Sequence, residues 1–357
     1  DVGASSHTAI LARAMGVPAV MGVEIQEDWQ GRTAMLDGDR GWLYLDPTEQ
    51  IVEEGEQMAH KGREERLRLD RDTVTLDGRE MPLLANIGSG AEGELARQKG
   101  AQGVGLFRSE FLFLDRDTCP DEEEQFAAYS QVVRAMAGRP MVIRTLDVGG
   151  DKQAPCLGLE GDSSPLGCRG IRLSLARPDL FRPQLRAILR SGALGPVSLM
   201  LPMVTAPWEV RRAREILEEC RSELQSQGRE PGEVRVGIMV ETPAAVVLAD
   251  ELALEADFFS LGTNDLTQYT LAADRCRAGG AYDPRHPAVL RMIRHTVEAG
   301  HRHGLRVSIC GDLGADPDLT ETFLRMGVDS LSISPEFILP LRELISGLDL
   351  SEDRLAE

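Results

Sequence analysis

From about residue 80 the chain reads as short, nearly continuous apolar runs separated by amphipathic stretches. The runs are Pro82–Ile87, Gly103–Phe107, Met141–Leu146, Val197–Val204, Val234–Val240, Asp257–Leu261, Leu305–Cys310 and Val328–Ile333. A parallel strand is covered on both faces, so it shows a solid apolar run rather than alternation. Helical stretches such as Asp121–Ala137, Trp208–Gln227 and Pro287–His303 lie between several of them. Eight runs of this type, mostly separated by helices, predict an α/β fold and within it a closed (β/α)8 TIM barrel. A doubly wound open sheet is the alternative that the same pattern allows. No internal repeat is visible.

The first 50 residues differ. Thr8–Met15 carries a helix signal ended by Gly16 and Pro18, a short apolar strand follows at Ala19–Val23, and Met35–Leu45 reads as a hairpin. Gln50–Asp72 is rich in Glu and Arg and poor in apolar residues. A helix that is polar nearly all round is usually a bridge between domains. The expected division is a partial N-terminal domain at 1–50, a helical linker at 51–75 and the barrel at 76–357.

Charge narrows the partners. Of 357 residues, 39 are Lys or Arg and 58 are Asp or Glu, a formal net charge of −19. Phosphate backbones select basic faces, so nucleic acid is not the expected partner, and any anionic ligand must be held by a local cluster of arginines. No apolar run reaches the length of about 18 residues that a membrane span needs, so no membrane insertion is expected. The six cysteines (119, 156, 168, 220, 276 and 310) contain no CxxC. That spacing predicts a reducing, cytoplasmic setting with neither a zinc site nor a disulfide framework. A start at Asp1, without Met, reads as a fragment of a longer protein.

Barrel enzymes place reactive groups at the C-terminal ends of their strands. Those ends carry Arg108, Arg144, Glu241, Asn264 with Asp265, and Cys310. Arginines offer forked donors to a phosphate or carboxylate. Two carboxylates together with a substrate phosphate are how Mg2+ is usually held, so Glu241 and Asp265 are the candidate ligands. The pattern points to a small phosphorylated acid bound through magnesium. Cys310 reads equally as a small buried hydrophobe or as a pocket-facing general acid. His7, directly before the Thr8–Met15 helix, reads as an ordinary residue near an N-cap or as a phosphoryl site favoured by the helix N-terminus. His286, His295, His301 and His303 fit a solvated helix face, and the i, i+2 spacing of His301 and His303 is not that of a metal pair. Gly88–Gly93 matches GxGxxG after a strand, with Glu110 17 residues beyond it. This dinucleotide signature reads as a decoy, because Glu110 falls beside Arg108 at the anion-binding strand end.

The segments SSHTAILARAMGVPAVMG, GVGLFRSEFLFLDR, MVIRTLDVGGDK, GIMVETPAA, FFSLGTNDLTQYTLAADR and ICGDLGAD resemble enzyme I of the phosphoenolpyruvate:sugar phosphotransferase system. That enzyme is one of the phosphoenolpyruvate-utilising enzymes, along with pyruvate phosphate dikinase and phosphoenolpyruvate synthase. The resemblance runs from residue 3 to about 346. It implies that 1–50 is part of a swivelling phosphohistidine domain. His7 would be the phosphorylated residue, taking phosphoryl from phosphoenolpyruvate and passing it to an HPr-like phosphocarrier as pyruvate leaves. It further implies that Arg108, Arg144 and Arg275 bind phosphoenolpyruvate with help from Arg169, that Asn264 contacts its phosphate, and that Glu241 and Asp265 hold Mg2+. Cys310 would be the acid that protonates the enolate of pyruvate, and the barrel would form a homodimer.

Several positions depart from the family pattern. The usual NPFLGWR stretch reads Ser163-Ser164-Pro165-Leu166-Gly167-Cys168-Arg169, Arg277 stands where an Asn is expected, and Asp312 replaces a Glu. The carrier-binding helical domain and the start of the histidine domain are expected upstream of residue 1. Two other classes compete with the phosphotransferase. One is a nucleotide-dependent synthase, which needs an ATP-binding domain. The other is an idle phosphoenolpyruvate sensor, which the intact Arg108, Arg144, Glu241, Asp265 and Cys310 set argues against.

Overall fold

The computed structural model describes residues 20, 23, 26–37, 40–58, 71–148, 154–158, 166–274 and 281–351. The chain divides into two units, Asp1–Arg71 and Asp72–Glu357. In the first, β1 (Ala34–Asp37) and β2 (Trp42–Leu45) form an antiparallel hairpin with Ala34 opposite Leu45, where the sequence pattern expects one. An Arg32–Asp46 ion pair of 2.8 Å closes its base. Residues 49–58 are helical. The helix expected at Thr8–Met15, most of Ala19–Val23, and 59–70 of the expected linker helix lie outside the described residues.

The second unit is the expected barrel. Its strands are β3 (Leu83–Ile87), β4 (Val104–Arg108), β5 (Met141–Arg144), β6 (Val197–Leu201), β7 (Arg235–Val240), β8 (Phe259–Leu261), β9 (Val307–Ile309) and β10 (Ser330–Ile333). All pair in parallel, in the closed order β10-β3-β4-β5-β6-β7-β8-β9. Alternation along each strand makes two cores. Outward residues such as Ile143, Leu199, Ile238 and Phe259 join helix residues such as Leu185, Ile216 and Val297 in the main core. A second cluster of Leu106, Met200, Met239 and Cys310, flanked by Val142, comes from the other strand face and fills the barrel interior.

Three strands stop short of their apolar runs: β5 ends at Arg144, not Leu146, β6 at Leu201, not Val204, and β9 at Ile309, not Cys310. Leu146, Met203 and Val204 stay buried, but the backbone there leaves the ladder. Hydrophobic pattern reports burial, and it does not report pairing.

The glycines of Gly88–Gly93 serve packing. Gly90 and Gly93 lie on the helix Gly90–Gln98. A Cβ on Gly90 would meet Gln131 Oε1 at 2.3 Å, and one on Gly93 would lie 3.3 Å from the Val132 backbone. Both neighbours belong to the helix Glu122–Met136, so the missing side chains let two helices approach. Glu92 turns back on this helix start, accepting from Gly88 N–H at 3.2 Å and Ser89 Oγ at 2.7 Å.

Candidate active site

The alternation that fills the barrel also aims its rim residues. Arg108 lies two positions beyond Leu106, Arg144 two beyond Val142 and Glu241 two beyond Met239. Each therefore shares the interior face at the C-terminal mouth. Asp265 enters from the first turn of the helix Thr263–Leu271, which follows β8.

The arginines and acids at this mouth form a continuous lattice. Arg144, 7% exposed, donates from Nη2 to Glu110 Oε1 at 2.5 Å, and its Nη1 lies 3.4 Å from Asp147 Oδ2. Asp147 takes a forked pair from Arg169, Nε to Oδ1 at 2.9 Å and Nη2 to Oδ2 at 2.7 Å. Along its other edge Arg169 reaches Asp265 at 3.3 and 3.4 Å and the Tyr269 hydroxyl at 3.3 Å. Arg108 is half-buried, and its charge acts on the Cys310 thiol, pulling its pKa down against burial. Among the described residues its guanidinium meets no hydrogen-bond acceptor.

Glu241 is buried at 1% exposure, and its Oε1 accepts the Met203 backbone N–H at 2.7 Å. Met203 holds a φ of +59°, a region sparsely allowed to a residue with a side chain. Gly170, also at +59°, leaves room for it, because a Cβ there would lie 2.7 Å from Met203 Cβ. Gly262 leaves similar room beside the carboxylate, where a Cβ would sit 2.8 Å from Glu241 Oε2. Burial pushes the Glu241 carboxyl well above the usual carboxylate range. The Asp265 and Asp147 charges push the same way, against Arg144 and Arg169.

This electrostatic pattern tests whether a divalent cation fits. Among the described residues, Glu110, Asp147, Glu241 and Asp265 outnumber Arg108, Arg144 and Arg169 by one, so these groups carry excess negative charge if every acid ionises. Burial and the neighbouring acids favour the protonated form of Glu241, which lessens the excess. A divalent cation would relieve it while leaving Glu241 and Asp265 as oxygen donors, and the cradle at Gly262 leaves space beside Glu241. Among the described residues no three His, Cys, Asp or Glu side chains are gathered as a metal cage. Two carboxylates suit an ion such as Mg2+ that completes its shell with substrate and water oxygens.

Cys310 is 4% exposed, and its Sγ donates to the Leu261 carbonyl at 3.5 Å. Burial pushes its thiol up to about 11, so it carries its proton at neutral pH. Its own carbonyl accepts from Asn86 Nδ2 at 3.0 Å, and Ser332 Oγ donates to Asn86 Oδ1 at 2.7 Å. Asn264 stands next to Asp265 and exchanges two hydrogen bonds with Asp312: Nδ2 to Oδ2 at 2.9 Å, and the Asp312 N–H to Oδ1 at 3.1 Å.

The structure therefore gathers Arg108, Arg144, Arg169, Glu241, Asp265, Asn264 and Cys310 at one end of the barrel. His7 and Arg275 lie outside the described residues. His301 and His303 are on an exposed face, as expected, each 2.9–3.1 Å from an aspartate, Asp329 and Asp250 respectively.

A family profile described as "PEP-utilising enzyme, PEP-binding domain" matches residues 62–350. The chain belongs to the PEP-utilising enzyme family. A second profile, "PEP-utilising enzyme, mobile domain", matches residues 1–41. Similar curated proteins carry the name phosphoenolpyruvate-protein phosphotransferase. The Staphylococcus carnosus (strain TM300) protein is 42% identical over 98% of this chain, and the Staphylococcus aureus protein 43% identical over 98%. The Haemophilus influenzae protein is 41% identical over 99%. This chain spans 63% of the length of each of these relatives.

Four groups at this PEP-family barrel mouth escaped sequence reasoning. Glu110 was legible only as part of a false dinucleotide signature. Asp147, three residues past Arg144, had a usable signal: an acid inside a buried apolar segment must pair with a nearby cation. The Met203 N–H and the Asn86 side chain had none, because one is a backbone group and the other sits mid-strand.

Proposed function

We propose that the barrel binds phosphoenolpyruvate and that the whole protein is a phosphoenolpyruvate-protein phosphotransferase. It moves phosphoryl from phosphoenolpyruvate to His7 and on to an HPr-like phosphocarrier, and it releases pyruvate. The observation that supports this most is the pairing, at one barrel mouth, of an arginine–carboxylate lattice with a buried thiol that keeps its proton.

In this reading Arg144 and Arg169 are held rigid by Glu110, Asp147 and Asp265, so they are oriented before substrate arrives. Arg108, with no protein carboxylate of its own among the described residues, supplies a forked donor to the anion, joined by Arg275. The Asn264 amide contacts the phosphate. Glu241 and Asp265 would hold Mg2+, which when bound neutralises charge on the phosphoryl oxygens. As the P–O bond to enolpyruvate breaks, the phosphoryl group goes to the His7 nitrogen. The enolate then takes the Cys310 proton at its methylene carbon: the S–H bond breaks, a C–H bond forms, and pyruvate results. A thiol raised to about 11 holds that proton through neutral pH until a strong base is made beside it. Division into a phosphohistidine domain, linker and barrel, dimerisation through the barrel and a cytoplasmic setting complete the proposal.

The test is a calorimetric titration of this chain with phosphoenolpyruvate, with and without Mg2+. The expected result is binding that needs the metal and is lost in Glu241→Gln; binding indifferent to both would overturn the assignment. In the full-length protein His7→Ala should still bind phosphoenolpyruvate yet take up no acid-labile phosphate, and retained label would exclude His7.

A further inference from the structure

One buried amide joins the two segments that carry most of the arginine–carboxylate lattice. Gln184 lies on the helix Pro178–Gly192, between β5 and β6. Its Oε1 accepts the Leu146 N–H at 2.9 Å. Its Nε2 donates to Ser109 Oγ at 3.1 Å and to the Tyr129 hydroxyl at 3.3 Å. Ser109 stands between Arg108 and Glu110, and Leu146 comes directly before Asp147. The backbone shows why a side chain is needed here. The Thr145 N–H still pairs with the Met200 carbonyl at 3.0 Å, but one residue later the chain has left the sheet, and the buried Leu146 N–H takes its partner from Gln184.

The direction of this amide is fixed by its neighbours. The Tyr129 hydroxyl donates to Gln125 Oε1 at 3.1 Å, and Gln125 Nε2 donates to the Pro120 carbonyl at 3.1 Å. The donors all run one way, so a flipped Gln184 would set its NH2 group against the Leu146 N–H. Ser109, Gln125, Tyr129 and Gln184 are all buried. The Tyr129 ring meets Phe107 edge-on at 5.4 Å between centroids, beside Arg108. The helix that carries Gln184 is itself anchored. Arg186 and Arg190 reach Glu122 at 2.5 and 2.7 Å, where the helix bearing Gln125 and Tyr129 begins. Helix packing alone would be served by an apolar side chain with no desolvation cost, whereas a fully satisfied polar network specifies one geometry.

We propose that Gln184 is a positioning residue for the anion site. Through Ser109 and Leu146 it sets the spacing between Glu110 and Asp147, and so the direction in which Arg144 presents its guanidinium. The proposal rests on the reading of the barrel mouth as a phosphoenolpyruvate site. Arg144 lies between those two acids, with Nη2 on Glu110 and Nη1 near Asp147. If the two segments drift, Arg144 cannot keep both partners, and part of the binding energy goes into orienting it when the ligand arrives.

The test titrates wild type, Gln184→Leu and Gln184→Glu with phosphoenolpyruvate and Mg2+ by calorimetry, at a temperature where circular dichroism shows each protein folded. Gln184→Leu removes both hydrogen-bonding ends, and its affinity should fall about 10-fold or more. Gln184→Glu is the conservative rescue. While neutral, its carboxyl offers one acceptor and one donor, as the amide does. Ionised, it loses the donor to Ser109 and adds a charge near Glu110 and Asp147. Its affinity relative to wild type at the same pH should therefore approach unity near about pH 5.5 and fall as the pH rises to about 8. A purely structural role would lower the thermal midpoint of both variants and leave the folded proteins with wild-type affinity. That result, or a ratio for Gln184→Glu that does not move with pH, would overturn the proposal while the phosphoenolpyruvate reading stood. Wild type that binds no phosphoenolpyruvate would overturn that reading and the proposal with it. If Gln184→Leu does not fold, the pH course of Gln184→Glu decides.

Discussion

Two ion pairs of nearly the same shape allow burial to be tested by itself. Arg169 and Asp147 meet through a fork of 2.9 and 2.7 Å, with side-chain exposures of 10% and 0%. Arg177 and Asp179 meet through contacts of 2.8 to 3.2 Å, with exposures of 37% and 61%. Asp147→Asn removes one buried charge and turns an NH2 group towards a guanidinium, leaving Arg169 and Arg144 less than fully compensated where water does not reach. Breaking one side of a buried pair costs about 3–5 kcal/mol, while an exposed pair contributes roughly 0.2–1 kcal/mol. For a unit of this size about 2 °C of midpoint corresponds to 1 kcal/mol. Asp147→Asn should therefore lower the thermal midpoint by ~6–10 °C, and Asp179→Asn by about 2 °C or less. Scanning calorimetry of both variants against wild type, at equal pH and salt, makes the comparison. Equal shifts would refute the argument that burial within the charged lattice sets the cost of breaking a forked pair.

Other consequences follow from the same site. Cys310→Ser should leave phosphoenolpyruvate binding intact in calorimetry and slow its isotope exchange with pyruvate about 10²- to 10⁴-fold in the full-length protein; an unchanged exchange rate would return Cys310 to packing alone. Gly262→Ala should press its Cβ on the Glu241 carboxylate, 2.8 Å away before relaxation. Titration should then show metal-dependent ligand binding at least 10-fold weaker, and wild-type affinity would mean that the cradle is not used. The thiol of Cys310, raised to about 11, gives a signed pH dependence: only the thiolate is alkylated, so the rate at this residue should still climb about 10-fold per unit between pH 9 and 10, where an ordinary thiol levels off near its own pKa. A plateau near pH 9, read by mass spectrometry, would contradict the burial argument.

The barrel was legible because parallel strands covered on both faces write themselves as solid apolar runs, and all eight runs carry a strand. Helix ends were legible where a chemical signal marks them. Asp121 caps a helix that runs to Met136, and Ala137 closes it in the left-handed region. Strand ends were less so, since Leu146 and Met203 are as buried as strand residues while their backbone has already turned to form the site. Arg108, Arg144, Glu241, Asp265 and Cys310 could be found by looking at strand ends. Their supports could not all be found that way. What holds Glu241 is a peptide N–H at Met203, and what holds the Cys310 carbonyl is an amide from a strand more than two hundred positions earlier. Spacing reveals partners only within one turn, strand or hairpin, and these are joined by the fold.

The hydrogen bond between Ser332 and Asn86 spans 246 positions and lies at the seam where the last strand meets the first. Asn86 in turn steadies the peptide carbonyl of Cys310. During synthesis, the arginines of β4 and β5 and the carboxylate after β7 emerge well before β10 does. Until β10 docks, β3 and β9 are bare edges, and the Asn86 side chain lacks the hydroxyl that orients it. The order of translation thus delays completion of the Cys310 corner until the ring has closed. A nascent or truncated chain that ends before residue 330 would carry most of the charged groups and still lack a finished pocket, so assembly of the site is coupled in time to complete folding.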